Sequence, residues 1–144
     1  HDVSAARSSH MPVTWRGLPE RIVAWADRLL DAQIESRPAL EVIARFDRPD
    51  TLLYVDPPYP LETRSGALYR HEMTDDDHRS LLDALDAHPG MVVLSGYACD
   101  LYDSKLKFWH RVTTRAFADH GGEREEVLWI NPRTMQKLNH GGLF

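Results

Sequence analysis

The sequence predicts an α/β domain with a parallel sheet and an antiparallel pair of strands at its edge. Three observations predict it. Two nearly continuous β-forming runs, Thr51-Leu52-Leu53-Tyr54-Val55 and Met91-Val92-Val93-Leu94, read as strands of the kind that suits cover on both faces. A helical apolar pattern lies between them, which makes a strand–helix–strand unit with parallel neighbours. Trp109–Phe117 and Glu125–Ile130 then read as two more strands, with His120-Gly121-Gly122 in their connection.

The elements follow in order. His1–Thr14 is polar and small and reads as a tail, a loop or the remnant of a preceding element, and it lacks the apolar centre of a signal peptide. Leu18-Pro19 opens a helix, because proline suits the first helical position. Ile22, Val23, Ala26, Leu29 and Leu30 recur there at helical spacing, with Arg21, Asp27, Arg28 and Asp31 mostly opposite. Gln33–Glu35 is expected to be a short strand. Ser36 is expected to cap a second helix that buries Leu40, Val42, Ile43 and Phe46, before Arg48-Pro49-Asp50 breaks the chain. Asp56-Pro57-Pro58-Tyr59-Pro60 stops the first clear strand, and a polar loop runs to about Met73. Thr74 with Asp77 resembles a capping box, and Leu81, Leu82 and Leu85 form the apolar stripe behind it. Pro89-Gly90 ends that helix. Ser95-Gly96-Tyr97 follows the second strand, Ala98–Leu106 is expected to be a short helix, and Asn131-Pro132 closes the pattern ahead of a loosely ordered end.

Composition narrows the class. The 144 residues are 42% hydrophobic and 27% charged, which suits one soluble globular domain with a real core. No apolar run approaches the roughly 20 residues of a membrane helix. Cys99 is the one cysteine, so neither an internal disulfide nor a cysteine-based zinc site is possible, and a reducing, cytoplasmic setting fits. The net charge of −5 argues against a surface that is wholly a nucleic-acid footprint, while leaving room for a local basic groove. The chain starts with His1 and reads as a piece of something longer.

The sharpest chemistry lies at Asp56-Pro57-Pro58-Tyr59, at the carboxyl end of a strand, where open α/β sheets bind ligands. Two consecutive prolines fix φ and remove two backbone donors, which leaves rigid carbonyl acceptors beside a carboxylate and an aromatic ring. Such a clamp suits a planar base with an exocyclic NH2 group: two acceptors for its hydrogens and a ring to stack on.

The run Leu53-Tyr54-Val55-Asp56-Pro57-Pro58-Tyr59 resembles the catalytic motif of amino-methylating DNA methyltransferases, closest to the Dam-like (D12 class) adenine-N6 family with its phage relatives. Four further segments resemble the family in the same order: Trp15–Arg21, Ala39–Ile43, Val93–Tyr97 and Glu126–Pro132. The resemblance spans Trp15 to Pro132. It implies the C-terminal part of a Rossmann-like, S-adenosylmethionine-dependent methyltransferase sheet. It also implies a site-specific transfer, in double-stranded DNA, to N6 of a flipped-out adenine, in restriction-modification or a related setting. In that scheme Asp56 and the Pro57 carbonyl accept from the amino group, Pro58 stiffens the turn, and Tyr59 stacks on the base. Asp56, Ile34 and Glu35 border the cofactor. Arg64, Tyr69 and Arg70, in the loop after the motif, serve as a lid or as phosphate contacts, against the plain reading of a solvated loop.

The same resemblance marks departures. None of Gly17, Gly66, Gly90, Gly96, Gly121, Gly122, Gly141 and Gly142 sits in a strand–glycine-rich loop–helix context ahead of Asp56. The chain is therefore expected to be the carboxyl-terminal half of such an enzyme: 1–14 a tail or remnant of a target-recognition region, 15–132 the catalytic half, and 133–144 a tail. A missing N-terminal half would be its partner, and the basic DNA-gripping part would lie outside these residues. Pro38-Ala39 stands near where some relatives carry an acidic residue and an aromatic against the cofactor adenine. Two other readings stay open: a cytosine-N4 or RNA amino-methyltransferase, and a non-catalytic remnant or binding module of the same fold. His71, Glu72, Asp75, Asp76, Asp77 and His78 contain metal-ligand types, but acids favour a first helical turn anyway, and no metal is expected. Ser95 and Tyr97 read equally as pocket lining or support, Trp129 as core, Cys99 as a small buried side chain, and His120 and His140 as surface.

Overall fold

A computed structural model describes residues 17–63, 66, 70–117 and 123–141, in two compact units that divide after Ser36. In the first, α1 (Leu18–Leu29) starts with Pro19 in its first turn and carries Glu20 and Arg28 at the ends that suit the helix dipole. Its apolar stripe is uncovered: Ile22, Val23, Trp25 and Leu29 are each more than half exposed. The Arg21 guanidinium lies over the Trp25 ring, 5.4 Å from its centroid. The strand expected at Gln33–Glu35 does not form, and residues 32–36 are irregular. A strand needs a neighbouring strand for its N–H and C=O groups, and the sheet of the described residues does not include this segment.

The second unit is a four-stranded mixed sheet in the order β1 (Leu52–Val55), β2 (Met91–Tyr97), β4 (Glu123–Ile130), β3 (His110–Phe117). β1 and β2 run parallel, and β4 is antiparallel to both β2 and β3. Helices α2 (Ala39–Arg45), α3 (Asp75–Ala87) and α4 (Asp100–Lys105) give their apolar residues to one face of it. The core joins Ile43, Leu81, Leu82, Leu85, Tyr102 and Leu106 to Val92, Leu94, Val127 and Trp129 of the strands. Full burial of such a side chain is worth roughly 1.5–3 kcal/mol. The buried indoles keep partners: Trp129 Nε1 donates to Asp103 Oδ1 (3.0 Å) and Trp109 Nε1 to Asp86 Oδ1 (2.9 Å).

Several expectations shift. α2 begins after Pro38 instead of at Ser36, because a residue before proline is kept out of the α region, and Leu40 stays exposed while Ile43 is buried. The capping box of α3 forms as expected, with Thr74 N donating to Asp77 Oδ2 (2.8 Å) and Asp77 N to Thr74 Oγ1 (3.2 Å). β1 is not covered on both faces: Leu52 and Tyr54 are exposed, and its residues alternate because the helices pack from one side. β2 runs on through Ser95-Gly96-Tyr97, since β4 pairs with those residues after β1 has ended.

Residues expected to be loosely ordered form α5 (Pro132–Asn139). Asn131 caps it and is itself buried. Its Oδ1 accepts from Thr134 N (2.9 Å) and its Nδ2 donates to the Gly90 carbonyl (2.9 Å). The tight turn before β2 requires Gly90, where a Cβ would collide with the Thr51 and Arg48 carbonyl oxygens. The Gly90 N–H donates to Nδ1 of buried His88 (3.0 Å), so Nε2 carries the proton shared with the Phe46 carbonyl (3.2 Å).

Candidate functional site

β1 ends at Val55 because Asp56-Pro57-Pro58 cannot continue its ladder. The last β1–β2 pair is Val55 with Leu94, so Asp56 comes alongside Ser95 on the central strand. Cross-strand partners share a face. Ser95 pairs with Leu128 and Tyr97 with Glu126, and those β4 residues pair in turn with Val112 and Thr114 of β3. This face is opposite the one that carries Leu94 and Trp129 into the core.

Here lies a cavity of about 330 Å³ lined by Tyr54, Asp56, Tyr59, Ser95, Glu126 and Leu128, with Val112, Thr113 and Thr114 from β3. Ser95 is 8% exposed, and its Oγ donates to Asp56 Oδ1 at 2.9 Å, with the Val55 carbonyl oxygen at 3.3 Å. The Tyr59 ring meets Tyr97 edge-to-face, centroids 4.5 Å apart at 65°. Burial, and then the Asp56 and Glu126 carboxylates, push the Tyr59 phenol up to about 12, and its hydroxyl hydrogen-bonds the Asp56 side chain. At neutral pH it is therefore a donor. The cavity combines two carboxylates with several hydroxyls and the Tyr54 and Tyr59 rings, which suits a planar group rich in N–H donors.

The sequence-predicted residues fall into three groups. Asp56 and Tyr59 meet in the cavity, while Pro57 is buried and Pro58 half-buried in the turn between them. Arg70 is exposed on the following loop, and Arg64 and Tyr69 lie outside the described residues. Ile34, 92% exposed, and half-buried Glu35 belong to the first unit. The acidic and histidine run after the motif divides by task. Asp77 caps α3, and its hydrogen bonds from Thr74 hold its carboxyl below the usual range. His78 is buried with its Nδ1 2.9 Å from Tyr102 Oη. Trp129 is core, as expected. Cys99 is half-buried, and burial pushes its thiol up, away from any acidic character. His140 is exposed at the end of α5, and His120 lies outside the described residues.

Sequence reasoning missed Glu126. Its signal is the alternation Glu126-Leu128-Ile130 against Val127-Trp129, which marks one buried and one half-open face. Assigning Glu126 to the cavity also needs the register with Tyr97, which no local pattern supplies.

Fold and site together define an α/β domain with its cavity at the carboxyl end of a parallel strand, the usual ligand position in such sheets. The profile of the D12 class N6 adenine-specific DNA methyltransferases matches residues 12–117, and the chain belongs to that family. The matched span includes β1 and Asp56–Tyr59 and ends with β3, so Glu126 and Leu128 lie beyond it. No curated protein matches the chain. Among the described residues, no helix is long and apolar enough to cross a membrane.

Proposed function

We propose that the cavity receives an adenine flipped out of double-stranded DNA and presents its N6 amino group for methylation, with S-adenosylmethionine as the donor. The observation that carries this reading is the meeting of Asp56, held by Ser95, with Tyr59 in one cavity at the end of β1. Its volume of about 330 Å³ sits at the small end of the roughly 300–1,000 Å³ common for ligand sites, which suits a single base.

Asp56 and the Pro57 carbonyl would accept the two amino hydrogens. That draws the nitrogen out of conjugation with the ring and frees its lone pair, and the surplus proton leaves to solvent. Tyr59 would stack on the base, a contact worth about 1–3 kcal/mol in single-strand binding. Orientation supplies much of the rate, so Asp56 acts as acceptor and aligner and need not be a strong base.

The donor is cationic, and the Asp56 and Glu126 carboxylates beside the Tyr59 and Tyr97 rings fit that charge. When bound it supplies an electrophilic methyl group on a sulfonium. Asp56 would border it, and the assignment of Ile34 and Glu35 to it rests on the family resemblance alone. Arg70, with Arg64 and Tyr69, is assigned to DNA contacts from its place in the loop after the motif.

A nucleoside-resolved methylation assay on the full-length protein tests the reading. N6-methyladenine in DNA is expected. N4-methylcytosine alone, methylated RNA alone, or no transfer by folded protein would overturn it.

A further inference from the structure

We propose that Ser95 is a positioning residue for the methyl transfer: its hydroxyl fixes the Asp56 carboxylate in the orientation that meets the amino group. The proposal rests on the role given to Asp56 above and goes beyond it by naming what holds that side chain.

Asp56 is itself exposed, at the start of an irregular segment, so nothing in its own backbone ladder locks the carboxylate. Ser95 differs. It sits on β2, the strand between β1 and β4, where it pairs with Leu128 of β4, and it is more than nine-tenths buried. A serine hydroxyl has one proton to give. Two acceptors lie within reach, Asp56 Oδ1 at 2.9 Å and the Val55 carbonyl oxygen at 3.3 Å. The nearer one is also a carboxylate, and hydrogen bonds to ionised acceptors are the stronger. The proton therefore points at Asp56.

An ionised carboxylate has about four lone-pair sites. Ser95 takes one and the Tyr59 hydroxyl another, which leaves capacity for the amino group. The sheet thus transmits its order to the Asp56 carboxylate through the Ser95 hydroxyl. Val93, on the same face of β2, has no polar side chain to offer.

The test compares Ser95→Ala, Ser95→Thr and Asp56→Ala in the full-length protein. Misplacing a reacting group by about 1 Å can cost up to ~100-fold in rate. Ser95→Ala is expected to lower kcat about tenfold or more, with KM for DNA and cofactor unchanged. The fluorescence of 2-aminopurine at the target position, which reports base flipping, should stay at the wild-type level. Ser95→Thr keeps the hydroxyl and should restore most of kcat. Wild-type kcat in Ser95→Ala while Asp56→Ala is inactive would overturn the positioning role and leave the site reading intact. Activity in Asp56→Ala would overturn the site reading itself. Loss of folded protein in Ser95→Ala, or a kcat loss in Ser95→Thr equal to that in Ser95→Ala, would make the side chain structural and overturn the proposal.

Discussion

On one face of β2, Val92 and Leu94 are fully buried beneath helices, and on the other, Ser95 and Tyr97 meet the Asp56–Tyr59 segment at a cavity. The same seven-residue strand serves both. Its covered face gains apolar burial, which holds the strand in place. Its open face can then carry polar groups whose acceptors are not all used within the fold. Such groups would be a liability on a strand without the burial behind it. Substitutions on the covered face should therefore act on stability, and those on the open face on ligand binding and turnover.

The largest expected effect on stability is Leu85→Ala, a fully buried position of α3. It should cost about 2–5 kcal/mol in chemical denaturation. Cofactor and DNA affinity per folded molecule should not change, and a selective loss of affinity would break the division between faces.

Tyr59→Ala comes next. It should remove about 1–3 kcal/mol of flipped-base binding, read as the affinity difference between DNA with the target base and DNA abasic there. Cofactor binding by calorimetry should fall less, and equal losses would count against stacking.

A pH effect sharpens the same point. The fold favours the protonated Tyr59 phenol, so that stabilisation is complete below about 10, the usual tyrosine value. It is lost as pH rises towards the folded value of about 12. The ultraviolet difference between wild type and Tyr59→Phe should titrate at that higher value. Glu126→Gln should lower it without restoring the usual one, because burial is the larger cause. A midpoint near the ordinary value in wild type would show that Tyr59 is not held against the acidic wall.

The smallest effect belongs to Tyr54→Ser, where the side chain is 66% exposed on the open face. Its unfolding midpoint should shift by no more than about 0.5 kcal/mol equivalent. A larger loss would mean that this face is packed as firmly as the other.

Much of this was legible because its causes are local. The α3 capping box, the Leu81-Leu82-Leu85 stripe and the proline stop after β1 are each set within a few residues. The acid and ring of the cavity were legible for the same reason. What escaped depends on partners distant in the chain. Ser95-Gly96-Tyr97 is strand only because β4 pairs with it, and Glu126 reaches the cavity only through that register. The cap of α5 is buried against Gly90 and Val92, some forty positions away in the sequence. Gln33–Glu35 errs in the other direction, a β-like triplet that is irregular in the structure.

The central claim is that Asp56 is there for the substrate and not for the fold. Methyl transfer to adenine in DNA and the unfolding midpoint, measured together for wild type and Asp56→Ala in the full-length protein, test it most directly. The account predicts that transfer falls below detection while the protein stays folded, its midpoint shifting by no more than the roughly 1–3 kcal/mol that a buried hydroxyl without its acceptor costs. Near-wild-type transfer, or a loss of transfer that only follows a loss of folded protein, would contradict it.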